Sequence, residues 1–167
     1  LIMLLQFKVV RTNDQLDETL EFLANGFEWN NLKTISLRSY LLKANLKINF
    51  YGFTIEDETG SIQGALLAAN QGHTNSKTII NLMSVYISPR WRGLNTFAFL
   101  KKIIEMLNHK EYIITAYSAS KNTSLVIEKV GFKKMSCKMI KTNIINELKN
   151  MWLIPVTLNK IKIEKVG

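Results

Sequence analysis

The chain has 167 residues, 47% of them hydrophobic, and a formal net charge of +9. That length and apolar share exclude a disordered chain and fit one domain with a sizeable core. One cysteine, Cys137, excludes an internal disulfide, and two histidines, His73 and His109, make no zinc-ligand spacing with it, so no metal is expected.

Residues 4–11 read as a first strand. Thr12 and Gln15 stand at capping-box spacing, and Asp14, Asp17 and Glu18 supply acid near the helix start. Leu16, Leu20, Leu23 and Phe27 then line one apolar helix face, and Gly26 suits its end. A second helix is predicted over 31–44, using Ile35, Leu41 and Leu42. Residues 48–56 read as a strand, 57–61 as a turn, and 62–69 as a strand returning in a hairpin. A polar loop is expected at 71–77. A long strand rich in Ile, Val and Tyr follows at 78–88, and Pro89 ends it because it has no N–H to give a ladder.

The clearest helix comes next. Phe97, Leu100, Ile103, Ile104 and Leu107 line one face; Lys101, Lys102, Glu105 and Asn108 occupy the other. Residues 112–117 read as a short buried strand, 122–130 as a short helix stopped by Gly131, and 132–140 as one alternating strand. Cys137 alternates with Met135 and Met139 and reads as a core thiol. Ile161 and Ile163 alternate with Lys160, Lys162 and Glu164, which marks a last strand. The order describes a single α/β domain over 1–167, with one mixed, mostly antiparallel sheet flanked by helices. Its core is residues 4–140. The extension 141–167 adds a strand to the sheet or to a partner subunit, which leaves a homodimer open.

The chemistry gathers at residues 82–97. An apolar strand runs into the turn Ser88-Pro89-Arg90-Trp91-Arg92-Gly93, and an amphipathic helix follows at once. That order aims backbone N–H groups and two guanidinium groups at one spot, which suits a phosphate-bearing ligand.

Two stretches resemble the GNAT superfamily of acetyl-CoA-dependent N-acyltransferases. Val85-Tyr86-Ile87-Ser88-Pro89-Arg90-Trp91-Arg92-Gly93 is similar to the family's strand ending in V-x-P-x-x-R-G. Ser120-Lys121-Asn122-Thr123-Ser124-Leu125-Val126-Ile127-Glu128-Lys129-Val130-Gly131-Phe132 is similar to its N-x-x-S/A-x-x-x-x-E-K-x-G-F segment. The resemblance covers residues 4–140 and is strongest over 79–134. It implies an acyl-CoA N-acyltransferase fold. It also implies transfer of acetyl from acetyl-CoA to a primary amine, by direct attack in a ternary complex.

The resemblance implies roles as well. The strand at 82–88 parts from its neighbour at 112–117, and main-chain groups of Val85, Tyr86 and Ile87 take the cofactor's pantetheine arm. One of those N–H groups faces the thioester oxygen, where charge develops. Arg92, Gly93, Leu94, Asn95, Thr96 and Phe97 wrap the pyrophosphate at the start of the next helix. Arg92 adds charge-assisted hydrogen bonds, and Arg90 is a second cation there. Ser120 and Asn122 are candidates to cap the short helix and meet the cofactor arm.

The chain departs from the family at several places. The family's R/Q-x-x-G-x-G/A has glycine or alanine where Asn95 and Phe97 stand. Asn tolerates left-handed backbone, whereas Phe97 is bulkier beside a phosphate. The tyrosine that many members use to protonate the leaving thiolate falls on Ile127. Tyr117 is therefore the candidate acid, with Tyr86 as its alternative. Ser84 is the candidate for ordering a proton-relaying water, with Asn81 and Ser118 as alternatives. Glu56, Asp57 and Glu58 read as a solvated turn, and Trp91 as surface packing, with packing on the cofactor's adenine as its alternative. Two other readings stay open: a degenerate acyl-CoA-binding module of the same fold, and a basic nucleic-acid-binding domain. The scattered lysines speak against nucleic acid as a partner. A reducing cytoplasm is the expected setting, and the apolar run at 1–5 is too short for a signal core or a membrane span.

Overall fold

The computed structural model describes residues 4–45, 50–74, 77–107, 112–118, 125, 128–135, 138–141 and 161–164. The chain forms two compact units. One is Leu1–Asn70 with Met83–Phe99, the other Gln71–Leu82 with Leu100–Gly167.

In the first unit, β1 (Gln6–Val9) pairs antiparallel with β2 (Phe50–Glu56), from Gln6↔Glu56 to Val9↔Phe53. The antiparallel partner of β2 is β3 (Ile62–Thr74), in the register Phe50↔Ala69 to Glu56↔Ile62, and β3 neighbours β4 (Lys77–Ile87). The polar stretch expected to loop at 71–77 instead continues β3 to Thr74. Strand pairing overrides the poor β-propensity of Asn70, Gln71, Gly72 and His73.

Between β1 and β2 lie α1 (Asn13–Phe27) and α2 (Asn31–Asn45). The capping box is present at α1. Gln15 N–H donates to Thr12 Oγ1 at 3.1 Å, and Thr12 N–H donates to Gln15 Oε1 at 3.1 Å. Asn30 caps α2 by accepting from Lys33 N–H at 2.8 Å. Arg38 of α2 grips Asp17 of α1 through Nε at 2.6 Å and a terminal nitrogen at 3.3 Å.

Leu16, Leu20 and Leu23 of α1 and Leu41 of α2 pack with Val10, Ala65, Leu67 and Ala69 into one buried cluster. Burying each leucine contributes about 1.5–3 kcal/mol. Two residues expected on those helix faces are exposed: Phe27 by 42% and Ile35 by 61%. Phe27 instead stacks on Trp29, with ring centroids 5.4 Å apart. Gly26 does not end α1. The helix runs on to Phe27, and Glu28 takes the left-handed conformation at φ 56°.

In the second unit, β4 pairs parallel with β5 (Tyr112–Ser118), from Thr78↔Tyr112 to Leu82↔Ala116. The strand expected over 132–140 divides into β6 (Lys133–Met135) and β7 (Lys138–Lys141), which pair antiparallel. β8 (Ile161–Glu164) adds the expected last strand, antiparallel to β5 and β6. α3 (Leu94–Met106) starts in the first unit and continues in the second, where Leu100, Ile103, Ile104 and Leu107 are buried. Leu125, Glu128 and Lys129 are helical, as expected. Cys137 lies outside the described residues. Among the described residues no helix is long and apolar enough to cross a membrane.

The turn joining β2 to β3 is built on Asp57. Its Oδ1 accepts from Thr59 Oγ1 at 2.6 Å, Thr59 N–H at 2.9 Å and Ser61 N–H at 3.1 Å, and Oδ2 accepts from Gln63 at 2.8 Å. The Thr59 hydroxyl above all holds this carboxyl below the usual carboxylate range. A carboxyl lowered on folding stabilises above its unfolded pKa, and the benefit fades as pH falls through the folded value. The Tm gap between wild type and Thr59→Val should therefore be widest near neutral pH and close on acidification below the carboxylate range; a pH-independent gap contradicts this. At the other cap, Thr12→Ala should lower unfolding stability by about 1 kcal/mol in urea titrations.

Candidate functional site

Ile87, buried, is the last residue of β4. The chain leaves the strand through Ser88, whose N–H donates to the Gln63 carbonyl of β3 at 2.8 Å. Pro89 has no N–H and a fixed φ, so it ends the ladder and opens a 3₁₀ turn, Pro89–Trp91. Trp91 N–H donates to the Ser88 carbonyl at 2.9 Å, and Arg92 N–H to the Pro89 carbonyl at 3.3 Å. Gly93 follows at φ +97°, and nothing among the described residues stands within 4 Å of where a Cβ would be. A bare backbone in that conformation admits a close ligand.

The first bond of α3 runs from Phe97 N–H to the Gly93 carbonyl at 3.2 Å. The N–H groups of Leu94, Asn95 and Thr96 precede it, so the helix itself gives them no acceptor. Leu94 and Asn95 are exposed, and Thr96 and Phe97 are half-buried. Aligned peptide dipoles add partial positive charge at this end.

Arg92 is exposed. Its Nε donates to the Ile87 carbonyl at 2.8 Å, and its guanidinium carbon lies 5.1 Å from the centre of the Tyr86 ring. Among the described residues no carboxylate is paired with Arg92. Arg90 lies over the Trp91 ring at 5.1 Å. Trp91 is not a surface residue: it is 8% exposed, and its Nε1 has no partner among the described residues. The tight turn after Pro89 carries its indole inward.

Met83 and Tyr86 both pack against the leucine cluster of α1. Ser84 and Val85, between them, are half-buried.

Eleven of the expected site residues thus share one stretch of the first unit: Ser84, Val85, Tyr86, Ile87, Arg90, Arg92, Gly93, Leu94, Asn95, Thr96 and Phe97. Tyr117 lies in the second unit, on β5, paired with Lys162. Ser120, Asn122 and Ile127 lie outside the described residues. In the second unit, buried Asn81 accepts at Oδ1 from the Thr115 hydroxyl at 2.9 Å, a bond within the sheet. Glu56 is paired with Lys8 at 2.7 Å, and Asp57 is committed to its turn. The residues at the start of α3 fit a diphosphate: a guanidinium with no carboxylate partner among the described residues, a glycine with positive φ, and three N–H groups ahead of the helix ladder.

No family model matches the chain, and no curated protein matches it by sequence. Solved structures do. A GNAT-family acetyltransferase from Streptococcus agalactiae is similar at TM-score 0.59 and 16% identity, over 98% of this chain and 95% of its own. A GNAT-family N-acetyltransferase from Escherichia coli, solved with CoA, is similar at 0.58 and 13% identity, over 79% and 70%. A phosphinothricin acetyltransferase from Sinorhizobium meliloti, solved with acetyl-CoA, is similar at 0.57 and 16%, over 79% and 76%. At these identities the likeness speaks for the fold. The chain has the acyl-CoA N-acyltransferase fold of the GNAT acetyltransferases.

Proposed function

We propose that this protein is an acetyl-CoA-dependent N-acetyltransferase, transferring acetyl to a primary amine by direct attack in a ternary complex. The observation that carries the reading is the Arg92 turn: a guanidinium with no carboxylate partner among the described residues, beside Gly93 and the N-terminus of α3, within a GNAT fold. Structures of similar fold bind CoA or acetyl-CoA, which supports the same ligand class here.

In this reading Arg92 and the N–H groups of Leu94, Asn95 and Thr96 hold the diphosphate, with Arg90, Gly93 and Phe97 completing the turn around it. Charge-assisted bonds from Arg92 are the strong ones. Main-chain groups of Val85, Tyr86 and Ile87 receive the pantetheine arm. One of those N–H groups faces the thioester oxygen, on which negative charge develops. Acetyl-CoA supplies the activated thioester when bound. Ser84 holds the water that accepts the amine proton, and Tyr117 returns a proton to the departing thiolate. Either Ser120 or Asn122 meets the cofactor arm. Direct attack asks for no enzyme nucleophile. A reducing cytoplasm suits the single cysteine.

A second reading rests on Ile127 and Phe97: the same fold holding a CoA ester without turnover. Thermal unfolding in the presence of acetyl-CoA, CoA or single-stranded DNA tests both readings. Both CoA species should raise Tm in proportion to ligand, by mass action, and DNA should not. No shift at millimolar CoA removes both. Thiol release with a panel of amines should then appear for an enzyme and not for a binding module. Arg92→Ala should weaken CoA binding by about 1–3 kcal/mol in calorimetry, the scale of a lost charged hydrogen bond; an unchanged Kd puts the phosphate elsewhere.

A further inference from the structure

We propose that the ring of Tyr86 is a positioning residue for the Arg92 guanidinium, and that Gly26 of α1 gives that ring its place. The proposal rests on the reading that Arg92 binds a CoA phosphate. Arginine has a long, flexible stem, and a single bond at Nε fixes one point of its fork. The Ile87 carbonyl supplies that point at 2.8 Å. The Tyr86 ring face, 5.1 Å from the guanidinium carbon, supplies a second. Held at both, the fork keeps its terminal nitrogens for an anion and loses less freedom on binding.

The ring is itself wedged. Phe22 and Phe27 of α1 meet it edge-on, with centroids 5.8 and 5.2 Å away. A Cβ on Gly26 would stand 2.5 Å from two ring carbons and 2.8 Å from a third. No real methyl occupies such a position, so alanine there must displace the ring. Glycine inside a helix is otherwise unfavourable relative to alanine. The end of α1 and the phosphate arginine are thus joined through one aromatic side chain.

Calorimetric CoA affinities of wild type, Tyr86→Leu, Tyr86→Phe and Gly26→Ala test this, each also in an Arg92→Ala background. Tyr86→Leu should weaken binding about three- to tenfold, the scale of a lost cation–π contact, and Tyr86→Phe should restore it to within about twofold. Gly26→Ala should weaken binding as Tyr86→Leu does. In the Arg92→Ala background neither change should add a further loss. Wild-type affinity in Tyr86→Leu, or an equal loss without Arg92, overturns the proposal. Wild-type affinity in a folded Gly26→Ala removes the part played by Gly26. If Gly26→Ala does not fold, Gly26→Ala with Tyr86→Leu should, since leucine leaves room; failure of that double variant also removes Gly26. Wild-type protein that binds no CoA at all overturns the functional reading instead, and the positioning role with it.

Discussion

One hydrogen bond closes the corner on which the site depends: Arg92 Nε to the carbonyl of Ile87. It ties the last residue of β4 to the cation standing just before α3. Between them Pro89 stops the strand and bends the chain into a 3₁₀ turn. Directly after, Gly93 takes a positive φ that leaves the backbone open. The corner therefore delivers a guanidinium and the first N–H groups of a helix to one place. An arginine held at folding gives up its side-chain freedom before a ligand arrives, which favours binding.

That corner stands on a packed support. Ser88 hangs from the Gln63 carbonyl of β3, and Met83 and Tyr86 press into the leucine cluster beneath α1. Phe22 and Phe27 add their ring edges to Tyr86. A strand end that presents a ligand site on the turn after it is the usual division of labour between scaffold and loop. The chemistry proposed for it is undemanding: an amine attacks an ester already activated, so the protein's task is to orient, remove a proton and return one.

Much of this was legible in the sequence because its causes are local. Thr12 and Gln15 announce the cap of α1 by spacing alone, and both of its hydrogen bonds form. Leu16, Leu20 and Leu23 keep helical period and are buried, as are Leu100, Ile103, Ile104 and Leu107. Asp57 and Thr59 read as turn residues and make that turn. What was not legible depends on distant partners. Gly26 looks like a helix terminator until Tyr86 is seen lying against it. Gln71 and His73 look like loop residues until β3 is seen to carry them. Trp91 is buried by a turn whose path the sequence does not state. The start of α3 was read from Arg92 and Gly93, residue types that suit an anion wherever a strand gives way to a helix.

The central claim is that the diphosphate of CoA lies against the start of α3. Amide-resolved NMR titration of the full chain with CoA measures this most directly. The account requires the N–H resonances of Gly93, Leu94, Asn95 and Thr96 to move furthest, in step with saturation. Shifts centred on another element, with those four amides unmoved, would contradict it.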